Sequence, residues 1–216
     1  MLKVKRMKKV LFYAIVAMVL PVSCNSQAEQ KTADAESEYA NDAIAAIMER
    51  RSVRQYSDTP VSHDTLALIV QCGINAPSGM NQQPWEVRVV EDASFISETT
   101  ELFKEANPEM VSKDANFKNM YRNAPNIIVV ATPEGKGALD AGLLGENMAI
   151  AAKSLGLGTC FLGGPVGFLY TEAGKPYLEK LDLPEGYTIS YILAIGYPEE
   201  SPEAKPRDEG KVKYIK

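Results

Sequence analysis

The stretch "ALDAGLLGENMAIAAKSLGLGTCFLGG", Ala138 to Gly164, contains one long element and one short one. Leu139, Leu143, Met148, Ile150 and Leu155 are spread among alanines and glycines, which predicts a long helix that a neighbouring backbone can approach closely. After Leu155 the pattern contracts to "GTCFLGG", a short apolar run that predicts a strand closing on two glycines. A small-residue helix running straight into a strand calls for a sheet to pack on, and the rest of the chain supplies one.

Outward from that centre, "NIIVVAT" (126–132) predicts a strand buried on both faces, and "YTISYILAIGYP" (187–198) and "PWEVRVVED" (84–92) predict two more. Between and before them lie helical patterns. "NDAIAAIMERR" sets Ile44, Ile47 and Met48 at helical spacing behind an Asn/Asp cap, and Ser62 caps a stripe of Leu66, Ile69, Val70 and Ile74. "SFISETTELFKEA" (94–106) is a further helix, "NPEMVSKDANFKNM" (107–120) a polar excursion, and the tail from Glu199 is polar and broken by prolines. The chain has no internal repeat.

With 216 residues, 45% of them hydrophobic, the chain can build one α/β or α+β domain with a sizeable core. Its N-terminus reads as an export signal over residues 1–23: bases up to Lys9, the apolar run "VLFYAIVAMVL", then "PVSC". Ser23-Cys24 resembles a lipobox, with Pro21 where that pattern prefers Leu, so Cys24 is expected to carry lipid and to anchor an exported protein at the cell envelope. Residues 24–40 read as a solvated tether and 41–216 as the folded domain. The signal holds five bases and no acids; without it 18 Lys+Arg face 28 Asp+Glu, a net of −10, which argues against a nucleic-acid partner. Cys72 and Cys160 sit in apolar settings and read as small core residues.

The chemistry available to side chains alone is sparse. A single histidine, His63, excludes His-rich metal sites, and neither a Gly-x-Ser-x-Gly elbow nor a Gly-x-Gly-x-x-Gly turn is present. Enzymatic reactivity would therefore have to come from a bound group. Three polar concentrations could hold one. "INAPSGMNQQPW" (74–85) displays more amides than a turn requires. "RRSVRQY" (50–56) places three arginines where a helix ends, suited either to a phosphate or to the helix dipole. "AKPR" (204–207) adds Lys205 and Arg207 to an otherwise acidic tail.

Taken in order, "RRSVRQY", "APSGMNQQPWEVRVV", "GLLGENMAIAAKSLGLGTCFLGG" and "ILAIGYPEESPEAKPR" resemble the FMN-dependent nitroreductase family from about Ala43 to Arg207. The resemblance implies an α+β fold, a mostly antiparallel sheet flanked by helices, in an intertwined homodimer with FMN at the subunit interface. It assigns Arg50, Arg51, Ser52 and Arg54 to the phosphate, ribityl chain and pyrimidine edge, and Lys205 and Arg207 to a second phosphate contact. Pro77, Ser78, Asn81 and Gln83 match a loop that reaches the flavin of the other subunit, and Leu162, Gly163 and Gly164 a backbone segment passing the ring. Two departures stand out: Gly163 lies where some relatives place Glu, and Lys118, Asn119 or Arg122 stands where some place an Asn and a Lys on the pyrimidine edge.

By the same resemblance the expected activity is ping-pong hydride transfer from NAD(P)H through FMN to a small-molecule acceptor, a nitroaromatic, a quinone or a similar compound. No side chain need act as acid or base. The alternative is a non-catalytic flavin-binding or electron-transfer protein of the periplasm, where nicotinamide cofactors are scarce.

Overall fold

A computed structural model describes residues 41–216. The export signal, Cys24 and the tether lie outside the described residues. Seven α-helices and four strands are described, with short 3-10 turns at Gly79–Asn81 and Glu209–Lys211: α1 (Asp42–Glu49), α2 (His63–Ile74), β1 (Glu86–Val90), α3 (Ala93–Ala106), α4 (Pro108–Val111), β2 (Asn126–Pro133), α5 (Ala138–Ser154), β3 (Gly158–Leu162), α6 (Gly164–Leu169), α7 (Lys175–Lys180) and β4 (Tyr187–Gly196). Helix starts are marked by polar caps. Asn41 Oδ1 accepts from the N–H groups of Ala43 and Ile44 at 3.0 and 3.2 Å, Ser62 Oγ from Thr65 N–H at 3.3 Å, and Asp92 Oδ1 from Ser94 N–H at 2.8 Å.

The strands form one antiparallel sheet in the order β1-β2-β4-β3. Because successive side chains alternate faces, Ile127 and Val129 of β2 enter one core, with Phe95, Tyr121 and Leu169, while Ile128 and Val130 enter a second, with Leu66, Ile69, Leu144 and Met148. The central strands are thus buried on both sides, as the unbroken "NIIVVA" run requires. This is the expected α+β architecture.

The faces of two helices depart from expectation. Of the five apolar residues read along α5, only Met148 is in the core; Leu139, at 76% exposure, and Leu143 and Leu155 face outward. The sheet side carries Ala141, Leu144, Gly145, Ala149 and Ala152 instead. Gly145 shows the reason: a β-carbon there would come within 2.7 Å of Phe161 Cε1, so only a bare backbone fits against β3. Likewise Ile44, Ile47 and Met48 of α1 are exposed, and Ala45 and Ala46 are buried. On α5 the inward face thus mixes small residues with the large Leu144 and Met148, and on α1 it is made of alanines alone. The Gly- and Pro-containing segment that forms α6 and α7 carries no apolar period. No described helix is long and apolar enough to cross a membrane.

Candidate active site

The segment after α1 laces the sheet at its β3 side. Ser52 bridges Thr159 in parallel, Val53 N–H donates to Thr159 O at 3.0 Å, and Tyr56 pairs with Pro198 beyond β4. Glu199 N–H then donates to Gln55 O at 2.9 Å. Gly158 permits this lacing, because a β-carbon there would meet Val53 Cβ at 2.8 Å. Val53 points into the core, and Arg54, next in an extended run, points out.

Arg54 therefore emerges beside the end of β3, where a cleft of about 690 Å3 opens. That volume is ordinary for a small-molecule or cofactor site. Its floor is the turn from β3 into α6: Leu162, Gly163 and Gly164. A β-carbon on either glycine would meet nothing within 4 Å, so side chains there would project into open space and their absence leaves a strip of bare backbone. Phe103, Met110 and Phe117 make an apolar wall from α3 and the excursion. Phe117 lies nearly parallel to Phe103, 6.2 Å between ring centres, and Phe103 meets Phe168 edge-on at 5.5 Å.

Four of the expected site residues, Arg54, Leu162, Gly163 and Gly164, line this cleft. The others do not in the single chain. Arg50 Nε contacts Glu146 Oε1 of α5 at 3.3 Å, and Arg51 Nη1 donates to the carbonyls of Met48 and Arg50 at 2.7 and 2.8 Å, completing the end of α1. Ser52 is half-buried, its carbonyl accepting from Arg54 Nη1 at 3.0 Å. Lys205 and Arg207 are exposed in the tail, where Arg207 Nη1 donates to Lys205 O at 3.0 Å.

Pro77, Ser78, Asn81 and Gln83 form the loop before β1, fastened by Gly79 N–H to Asp140 Oδ1 at 3.1 Å and Gln83 N–H to Ser78 Oγ at 2.9 Å. Met80, Asn81 and Gln83 all have left-handed backbones, φ 52, 55 and 48°, a conformation costly for three side chains so close together. The loop enters the sheet at β1 and the cleft opens beyond β3, the opposite edge. Three strand spacings, about 14 Å, separate them.

Of the three residues weighed for the pyrimidine edge, only Arg122 has its charged group available in the cleft. Lys118 Nζ is paired to Asp58 at 3.0 Å, and Asn119, although it borders the cleft, spends its side chain on the N–H groups of Tyr121 and Asn123 and the carbonyl of Ala124. Gln55, Lys113, Cys160 and Glu200 also line the cleft and were not singled out beforehand as site residues. Gln55, Cys160 and Glu200 lie inside the motifs that carry the family resemblance, and Lys113 lies in the polar excursion. Burial pushes the Cys160 thiol up despite the opposing positive charges of Arg54 and Arg122, so it stays protonated at neutral pH.

A bare backbone strip beside the Arg54 guanidinium suits a planar, polar, anionic heterocycle such as a flavin mononucleotide: the ring can lie close to the glycines, and arginine matches its carbonyl oxygens. The site is thus of the kind found in flavin-dependent oxidoreductases. The chain belongs to the nitroreductase family, whose model matches residues 47–197. A Desulfitobacterium hafniense nitroreductase solved with bound FMN superposes with a TM-score of 0.73 at 26% identity, over 82% of this chain and all of that one. A Bacillus subtilis protein named FMN reductase (NAD(P)H) is 30% identical over 77% of this chain and 70% of its own length, and a Vibrio harveyi NADPH-flavin oxidoreductase is 26% identical over 77% and 70%.

Proposed function

We propose that the protein is an FMN-dependent NAD(P)H oxidoreductase that reduces a small-molecule acceptor such as a nitroaromatic or a quinone. The observation that carries this reading is the Gly163–Gly164 strip beside Arg54 in the cleft of a nitroreductase-family chain. Bound FMN would supply the redox chemistry, accepting a hydride from NAD(P)H and delivering it to the acceptor in a second half-reaction. The protein's part is placement: Gly163 and Gly164 would allow close approach to the ring, Arg54 would supply positive charge to the anionic reduced cofactor, and Phe103 and Phe117 would give the cleft an apolar side.

The working unit is a homodimer. Ile44, Ile47 and Met48 of α1 and Leu139 and Leu143 of α5 leave apolar side chains on the surface of the single chain, and the 77–83 loop stands at the wrong edge of the sheet to serve its own cleft. A second copy covers the first and receives Pro77, Ser78, Asn81 and Gln83 at its flavin. Arg50, Arg51, Ser52, Lys205 and Arg207 complete the phosphate side in that assembly. The basic stretch, apolar run and Ser23-Cys24 support export, with lipid on Cys24 holding the domain at the envelope by its tether.

The test is the absorbance spectrum of the protein from Asn25 onward, mixed anaerobically with excess NADH or NADPH. A flavin band that bleaches within seconds is expected. A persistent band would transfer the protein to the electron-transfer reading, and no band after incubation with FMN would defeat the assignment.

A further inference from the structure

We propose that Lys113 and Arg122 make the cleft selective for planar aromatic acceptors that carry a negative charge, such as a ring carboxylate or phenolate. The inference rests on the oxidoreductase reading above and names its substrate class. In the chain as a whole acids outnumber bases, 28 to 23, yet three cations, Arg54, Lys113 and Arg122, face the cleft against two acids, Asp114 and Glu200. Both acids are engaged: the Glu200 carboxylate accepts the Arg54 backbone N–H, and Asp114 Oδ1 accepts Asn116 N–H at 3.0 Å.

The Lys113 ammonium and the Arg122 guanidinium have no hydrogen-bond or ion-pair partner among the described residues. Nearby lysines do: Lys104 pairs with Glu101 at 2.8 Å and Lys118 with Asp58 at 3.0 Å. Two unpaired cations lining one cleft of an acidic protein attract anions and repel other cations.

Arg122 is also held in position. It and Asn123 adopt left-handed backbones, φ 58 and 68°, and the turn is bound together by the Asn123 side chain. Its Oδ1 accepts from Lys118 and Asn119 N–H at 2.8 and 3.1 Å, while Nδ2 donates to Gln55 Oε1 at 3.1 Å and Asn116 O at 2.9 Å. A strained turn fixed by four hydrogen bonds, presenting an unpaired guanidinium to a cleft, is a preorganised anion contact. The Phe117 ring, backed by Phe103, supplies the flat surface that an aromatic body would stack on.

The test compares 4-nitrobenzoate with 4-nitrobenzamide on the FMN-loaded full chain. In each reduction the nitro group takes a hydride from NAD(P)H and a proton, one N–O bond breaks, water leaves, and a nitroso arene and NAD(P)+ remain. The amide is the more electron-poor ring, so intrinsic reactivity opposes the expected preference.

At low salt kcat/KM should favour the benzoate by about tenfold, and added salt should erode that ratio. Lys113→Gln and Arg122→Gln should each cut the ratio by about three- to tenfold, and Arg122→Lys should restore part of it. Equal kcat/KM at low salt, or a ratio unmoved by both Gln variants, would overturn the proposal. Calorimetric Kd values of both compounds for the oxidised, FMN-loaded protein give a second readout: tighter benzoate binding that both Gln variants weaken supports the charge selectivity even if neither compound is turned over, and equal Kd values overturn it. Absence of turnover would count against the oxidoreductase reading alone.

Discussion

At Gly163 the question is what a side chain would displace. Its backbone, φ −101°, is one that any residue adopts, and a β-carbon there touches nothing, so folding does not demand glycine. Gly163→Phe should therefore leave stability within about 0.5 kcal/mol in urea denaturation, as expected for an unconfined site. The same variant should be purified with little or no FMN, because the ring would occupy the cleft floor; a Phe variant that keeps its flavin would remove Gly163 from the site. Cys160 behaves in the opposite way. Buried, with its pKa raised, it should resist iodoacetamide at pH 8 in the native protein, leaving half-buried Cys72 as the thiol labelled within the domain and Cys160 reactive only after unfolding. Mass spectrometry of the labelled peptides reads this directly. Residue by residue, the lining of the cleft was legible at Gly163–Gly164, where a motif coincides with the end of β3, and at Arg54, in the segment bridged to β3. Arg50 and Arg51 carry the same chemistry in sequence, yet in the single chain one is held by Glu146 and the other by the end of α1, contacts that no local pattern announces.

Among the elements, α5 shows how composition signals a helix without giving its orientation. Its length and small residues were legible, and so were all four strands, because β-branched runs bounded by Gly, Pro and Asn have few other readings. Which face turned inward was not, since large apolar residues lie on both faces, Leu144 and Met148 inside and Leu139 and Leu143 outside, and the small Gly145 and Ala149 share the inner one. Helices α4, α6 and α7 were missed because short helices with Gly or Pro depend on tertiary packing, for α6 that of Phe168 and Leu169 against the sheet core. The outward Leu139 and Leu143 then acquire a role if a second copy covers them. Leu139→Asp combined with Leu143→Asp should change the stability of the single chain by no more than about 0.5 kcal/mol, since both are exposed in it. In sedimentation velocity the pair should shift the protein from dimer toward monomer; an unshifted dimer would place the interface on another face.

For the whole molecule, the buried tyrosines set an alkaline limit. Burial pushes Tyr121 up to about 12, with the Thr99 hydroxyl contact opposing it, and burial also raises Tyr56 and Tyr191. In the unfolded chain each phenol ionises near 10. Above that pH the unfolded state releases protons that the folded state retains, so stability is fully present below pH 10 and falls as pH rises toward 12. Each tyrosine contributes about 1.4 kcal/mol per pH unit, and three together about 4, so one to two units can exhaust the 5–15 kcal/mol that holds a domain together. Tyr191 isolates one share, since its hydroxyl donates to Ala141 O at 2.7 Å and ties β4 to α5. Tyr191→Phe should cost about 1 kcal/mol at pH 8 through the lost hydrogen bond, yet lose stability more slowly between pH 10 and 11. Urea midpoints at pH 8, 10 and 11 should therefore converge for wild type and variant as pH rises. Parallel curves would mean that the Tyr191 phenol ionises inside the folded protein, and that the contact between α5 and the sheet admits water at that point.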